Sequence, residues 1–183
     1  MVVLGIDLAT RHIGLVILSQ GHLIYRYTLE LAQFDVQLKQ NVEKIKSLIE
    51  VLMRHYLLDL AVIELANFKS AALSQKFAFY AGIIYSLLNC EVKYCNSNEW
   101  QRKLGCMPND TRAHRKAAAR AFVEGKGFNT AKWTEDEIDA FCIAWYAPEL
   151  YSSYERHKHV LKRRQIKNRA LAKQRAHRAA KNH

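Results

Sequence analysis

The sequence predicts an α/β sandwich built on a mixed β-sheet. Three observations predict it. The chain opens with three strand-like runs joined by short turns. Helical and strand periods then alternate. Finally, two of the strand-like runs are apolar throughout except for a single carboxylate. Runs of that kind read as strands buried on both faces, which requires helices on either side of the sheet.

The elements follow in order. Residues 2–8 and 12–18 are consecutive strands joined by Ala9-Thr10-Arg11. Ser19-Gln20-Gly21 is a hairpin signal, and 22–30 is a third strand, so the first three strands form an antiparallel meander. Between 34 and 55, Val42, Ile45, Leu48, Ile49 and Leu52 repeat at the 3.6-residue period of an amphipathic helix. Residues 58–66 are a fourth strand and 91–95 a fifth. The stretch 70–88 between them is helical but apolar nearly all round, so burial on more than one side is expected, against either its own chain or a second subunit. Helical segments follow at 96–104 and 109–125, the latter capped by Asp110 or Thr111. Thr134 and Glu137 form a capping box that opens a last helix over 135–150.

Acids stand in three places where burial makes them expensive. Asp7 interrupts Val2–Leu8, Glu64 interrupts Leu60–Ala66, and Asp136 and Asp139 open the apolar stretch Ile138–Trp145. An uncompensated buried carboxylate costs several kcal/mol, roughly 2–7 for a polar group and more for a charge. Taken singly, each has an ordinary explanation, since first-turn acids commonly do no more than cap a helix. Taken together, they lie on three separated segments that meet at one end of the sheet if the first and fourth strands are neighbours. A divalent cation is the simplest compensation for converging carboxylates.

The charge is very unevenly placed. The chain of 183 residues carries 28 Lys and Arg against 17 Asp and Glu, a net +11. Residues 156–183 hold no acid, and residues 1–155 net to zero, so the whole excess lies in the tail. We therefore expect a domain over 1–155 and a basic nucleic-acid-binding tail over 156–183 that includes Lys162, Arg163, Arg164 and Lys167. The four Cys show no zinc spacing, and no stretch has transmembrane length. No basic n-region precedes the apolar N-terminus, so we expect a soluble, cytoplasmic protein of a reducing compartment that does not engage membranes.

In order and spacing, Gly5-Ile6-Asp7 with Thr10 and Gly14, then Val62-Ile63-Glu64, then Asp136 to Ala144 resemble the RNase H-like nuclease superfamily, and within it the RuvC-type Holliday junction resolvases. Trp100, followed by Arg102 and Lys103, is reminiscent of the bacteriophage-encoded branch. The turn Leu8-Ala9-Thr10 departs from the family's common pattern after the first Asp, and the long basic tail is not general among its cellular members.

The resemblance implies an RNase H-like mixed sheet flanked by helices, with Asp7, Glu64, Asp136 and Asp139 as catalytic metal ligands. Two Mg2+ or Mn2+ ions about 3.5–4 Å apart would be bridged by Asp7. The implied activity is hydrolysis of Holliday junctions or related branched DNA to leave 5′-phosphates. Arg112, Arg115, Lys116 and Arg120 would face the phosphate, with Lys116 nearest the acids. Phe68 and Lys69, after the fourth strand, would meet DNA, the Phe by stacking on an unpaired base. A homodimer through helix 70–88 would match the two-fold symmetry of a junction. Flap or fork nucleases, ribonuclease H and a weakly catalytic branched-DNA binder remain alternatives. Gly5-Ile6-Asp7 also resembles the phosphate loop of actin-like ATPases and sugar kinases, but no second glycine-rich loop accompanies it.

Overall fold

The computed structural model describes residues 1–65, 70–150 and 152. Two compact units divide the chain, Met1–Pro148 and Glu149–His183. In the second, Ser152 Oγ donates to the Glu149 carbonyl at 3.0 Å. The expected tail contacts Lys162, Arg163, Arg164 and Lys167 lie outside the described residues, as do Phe68 and Lys69.

The first unit is a mixed sheet of β1 (Val2–Leu8), β2 (His12–Ser19), β3 (His22–Glu30), β4 (Leu60–Glu64) and β5 (Glu91–Cys95), in the order β3-β2-β1-β4-β5. β1, β2 and β3 pair antiparallel, as the meander predicts. Gln20 and Gly21 turn the second hairpin with φ of 50° and 82°, the left-handed pair that matches strand twist. β4 runs parallel to both β1 and β5. It starts at Leu60 rather than at 58, because the chain bends at Asp59, whose carboxylate accepts from the Val2 N–H at 2.7 Å; the expected end at Ala66 lies outside the described residues.

α1 (Phe34–His55) and α2 (Ala71–Leu87) cover one face of the sheet. The even-numbered residues Leu4, Ile6 and Leu8 of β1, with Ile13, Leu15 and Ile17 of β2, join Ile45, Ile49 and Leu52 of α1 in that core. From α2 come Phe77, Tyr80, Ala81 and Ile84. Within this chain α2 therefore buries one side, and Phe79 and Tyr85 on its outer side stay 43% and 54% exposed.

The opposite face carries α5, helical from residue 135 through the end of this unit. Around it lie α3 (Ser97–Lys103) and α4 (Arg112–Gly125). α4 starts at Arg112 rather than 109, because the Asp110 carboxylate folds back to accept from the Met107 N–H at 2.7 Å. Thr111 then caps, its hydroxyl accepting from the His114 N–H at 3.2 Å.

α5 sits unusually close to the sheet, and two glycines permit it. A Cβ on Gly5 would collide with the Ala140 carbonyl, and a Cβ on Gly14 with the Asp136 carbonyl. Phe128, Trp133, Phe141 and Trp145 pack ring on ring beside this contact. Among the described residues, no helix is long and apolar enough to cross a membrane.

Candidate active site: carboxylates between the sheet and the last helix

One cross-strand row explains how distant acids meet. Asp7 pairs with Gly14, and Gly14 pairs with Thr28. β1 and β4 are in register at Ile6 and Ile63, so the next step sets Asp7 beside Glu64, which pairs with Cys95. Residues level with one another on neighbouring strands point to the same face. That face is the α5 side, because Gly5 and Gly14 touch α5 while their neighbours Ile6, Ile13 and Leu15 enter the other core.

The start of α5 is pinned over this row. Thr134 caps it through its hydroxyl, which accepts from the Glu137 N–H at 3.1 Å, and Glu137 accepts in return from the Thr134 N–H. The Thr134 hydroxyl also lies 2.6 Å from that of Thr28. Glu137 further binds the Arg26 guanidinium at 2.6 Å, and that guanidinium covers the Trp133 ring. Glu137 is thus a structural acid. Asp136 and Asp139, three residues apart, flank the same helical turn.

The acids sit in each other's fields. Burial raises the Asp7 carboxyl well above its usual range, and the charges of Asp139, Glu64 and Asp136 push it further. Glu64 is raised to about 7, mainly by burial, against a lowering contribution from Trp100. Burial also raises Asp139, opposed by Lys116. The Lys116 ammonium donates to Asp139 Oδ2 at 2.6 Å. Burial alone would lower the pKa of Lys116, but Asp139 and Asp7 hold it above the ordinary lysine value.

The other basic residues of α4 divide. Arg112 is largely exposed and reaches Glu135 at 3.5 Å. Arg115 is close enough to Asp110 to favour its ionised form. Arg120 turns instead to the Thr130 carbonyl and hydroxyl, each at 3.0 Å, and so braces the loop before α5. Two contacts of the acids are not anticipated from the sequence. His12 Nδ1 lies 3.8 Å from Asp136 Oδ2, and the Trp100 indole N–H donates to Glu64 Oε2 at 2.7 Å. A Trp on the helix directly after the strand bordering Glu64 is the signal that could have found the second.

The donor set suits a hard divalent ion, being oxygen throughout. Among the described residues, no three His, Cys, Asp or Glu side chains are gathered tightly enough to hold a metal as they stand. The fit rests on Asp139, whose Oδ1 is buried without a hydrogen-bond partner and whose charge helps to raise the Asp7 carboxyl. An unsatisfied, buried carboxylate oxygen in a field of like charges is a place where a cation is favourable.

No family model matches the chain. It is 34% identical over 167 residues to the uncharacterised protein UU157 of Ureaplasma parvum serovar 3, covering 84% of this chain and 73% of that protein. Its fold resembles that of Thermus thermophilus RuvC in complex with a Holliday junction substrate, with a TM-score of 0.64, 20% identity, and 79% and 90% of the two chains covered. Fowlpox virus resolvase in complex with Holliday junction DNA gives a TM-score of 0.53 at 15% identity, covering 82% and 99%. The yeast mitochondrial Holliday junction resolvase gives 0.54 at 12%, covering 79% and 80%. The mixed sheet and its helices are thus the RuvC-like form of the RNase H fold, and the chain belongs to the same family as the Ureaplasma protein.

Proposed function

We propose that this protein is a metal-dependent endonuclease that hydrolyses phosphodiesters in Holliday junctions or related branched DNA, leaving 5′-phosphates. The observation that carries this reading is the pair of strand carboxylates, Asp7 and Glu64, level with each other beneath α5, facing a helix that brings Asp139 with its buried, partnerless Oδ1 into the field of Asp7. The junction-bound RuvC and poxvirus resolvase, which share the fold, support branched DNA as the substrate.

Asp7, Glu64, Asp136 and Asp139 would hold Mg2+ or Mn2+. Bound there, the metal supplies Lewis-acid activation and neutralises developing charge. The remaining work falls to the chain itself. Glu64 and Asp7 are fixed by adjacent strands, so their spacing is set by the sheet. Asp136 and Asp139 ride on α5, whose height above the sheet is set by Gly5 and Gly14. Lys116, already paired to Asp139, stands where a phosphate would need a cation, and Arg112 lies exposed at the rim. The exposed Phe79 and Tyr85 of α2 are the surface for an isologous dimer that would present two sites to a two-fold junction. The basic tail would add phosphate contacts without base specificity.

A cleavage panel tests the proposal: four-way junctions, forks, flaps and RNA–DNA hybrids, each with Mg2+ and with Mn2+, for wild type and Asp7→Asn. We expect junction nicking that needs the metal and disappears in Asp7→Asn. Preferential cutting of hybrids or flaps would reassign the substrate within the superfamily. Tight junction binding with no cutting under either metal would leave a binding protein. Undiminished cutting by Asp7→Asn would remove the metal-site mechanism.

A further inference from the structure

We infer that Trp100 is a positioning residue that fixes the orientation in which Glu64 meets a divalent ion; this rests on the metal centre proposed above. Trp100 is 1% exposed, among the largest fully buried side chains of the protein. A buried indole N–H requires an acceptor, and any backbone carbonyl would satisfy it. Here the acceptor is instead the Glu64 carboxylate, 36 positions away, at 2.7 Å. Hydrogen bonds to an ionised acceptor are short and strong, and this one has that length.

The surrounding structure aims the indole. β5 ends at Cys95, the residue in register with Glu64, and α3 begins two residues later. Glu99 Oε2 accepts from the Asn96 N–H at 2.8 Å and fixes the first turn of the helix. Trp100 then follows one turn into α3, and Ser97 on the same helix is near enough to Glu64 to favour its ionised form. The strand fixes only the backbone of Glu64. Without a donor, its carboxylate is free to swing away from the like charges of Asp7 and Asp139.

The choice of donor has a consequence. Lys116 compensates Asp139 with a full positive charge, which an arriving cation must displace or tolerate. An indole N–H holds its carboxylate with no net charge. It orients Glu64 without competing with the ion for it. Partners of this kind around metal ligands typically change metal affinity or activity by about 10–100-fold when removed.

The test uses the full-length protein and Mg2+, a diamagnetic probe. Calorimetric Mg2+ titration is compared between wild type and Trp100→Phe, which keeps an aromatic ring but loses the N–H. In parallel, indole N–H signals are followed by 15N-resolved NMR; the chain has three Trp. We expect Trp100→Phe to bind Mg2+ about tenfold or more weakly while the other two indole signals keep their positions. We also expect the Trp100 signal of wild type to move as Mg2+ saturates, and to move in Glu64→Gln. Wild-type Mg2+ affinity in Trp100→Phe, or a Trp100 signal unmoved at saturation, overturns the inference while leaving the metal centre standing. If Trp100→Phe does not fold, the wild-type titration and Glu64→Gln decide. If wild type binds neither Mg2+ nor Mn2+, the metal centre itself is wrong, and the positioning role goes with it.

Discussion

Glu64 shows how far burial displaces a carboxyl in this fold. Its carboxyl is pushed up to about 7, and Asp7 and Asp139 are displaced in the same direction. A carboxyl whose folded pKa lies above its unfolded one binds more protons when folded. Its contribution is therefore favourable at low pH and is lost as pH rises from about 4.5 to about 7. For Glu64 alone the loss is of order 3 kcal/mol. We expect metal-free protein to lose stability to urea across that window, and saturating Mg2+ to reduce the loss, because an ion bound only by the folded state stabilises it. The same reasoning makes Asp7→Asn stabilising without metal, by about 1 kcal/mol or more at neutral pH. Equal or lower stability of Asp7→Asn in metal-free urea melts would contradict the like-charge account. At this scale the sequence was informative wherever an acid broke an apolar run, as at Asp7 and Glu64. It also exposed the capping box, which separates Glu137 from Asp136 and Asp139. It was silent about the contacts of Trp100 and His12 with the acids, because these depend on where α3 and the β1–β2 turn come to rest.

At the scale of elements, the decisive contact is α5 against β1 and β2. Gly5 and Gly14 bring a helix backbone against strand backbone, and this carries Asp136 and Asp139 to the level of Asp7. We predict that Gly14→Ala destabilises the protein by about 3 kcal/mol, the upper range for overpacking, since backbone rather than a flexible side chain stands in the way. Where the variant still folds, Mg2+ binding should fall as well, because α5 must move and take its two acids with it. Unchanged denaturation and metal binding would show that α5 can shift freely. The strands and helices were largely readable because periodicity and turn chemistry agreed along the chain. Two boundaries moved for local reasons, where Asp59 capped β1 and Asp110 capped its own loop. The close approach of α5 was not readable. A glycine in a strand suggests a close neighbour but does not say which one.

At the scale of the whole molecule, two features remain for partners. The first is the outer side of α2, where Phe79 and Tyr85 stay exposed, Tyr85 stacked on Tyr94. Sedimentation at micromolar concentration should give a dimer, and Phe79→Glu with Tyr85→Glu should give a monomer. A monomeric wild type would remove the isologous contact. The second is the charge of +11, all of which resides in residues 156–183. Deleting them should weaken junction binding at low salt and flatten its salt dependence, the logarithmic slope falling by roughly 0.9 for each phosphate that the tail neutralises. Composition alone carried that expectation, since charge needs no fold to be counted. The dimer was harder to read, because an apolar helix serves equally well within one chain or between two.

The central claim is that carboxylates from β1, β4 and α5 form one divalent-ion site. Calorimetric titration of Mn2+ into metal-free wild type and into Asp7→Asn tests it most directly. The account predicts saturable binding in wild type that is abolished or weakened at least tenfold in Asp7→Asn. Equal binding by both proteins, or none by wild type, would contradict it.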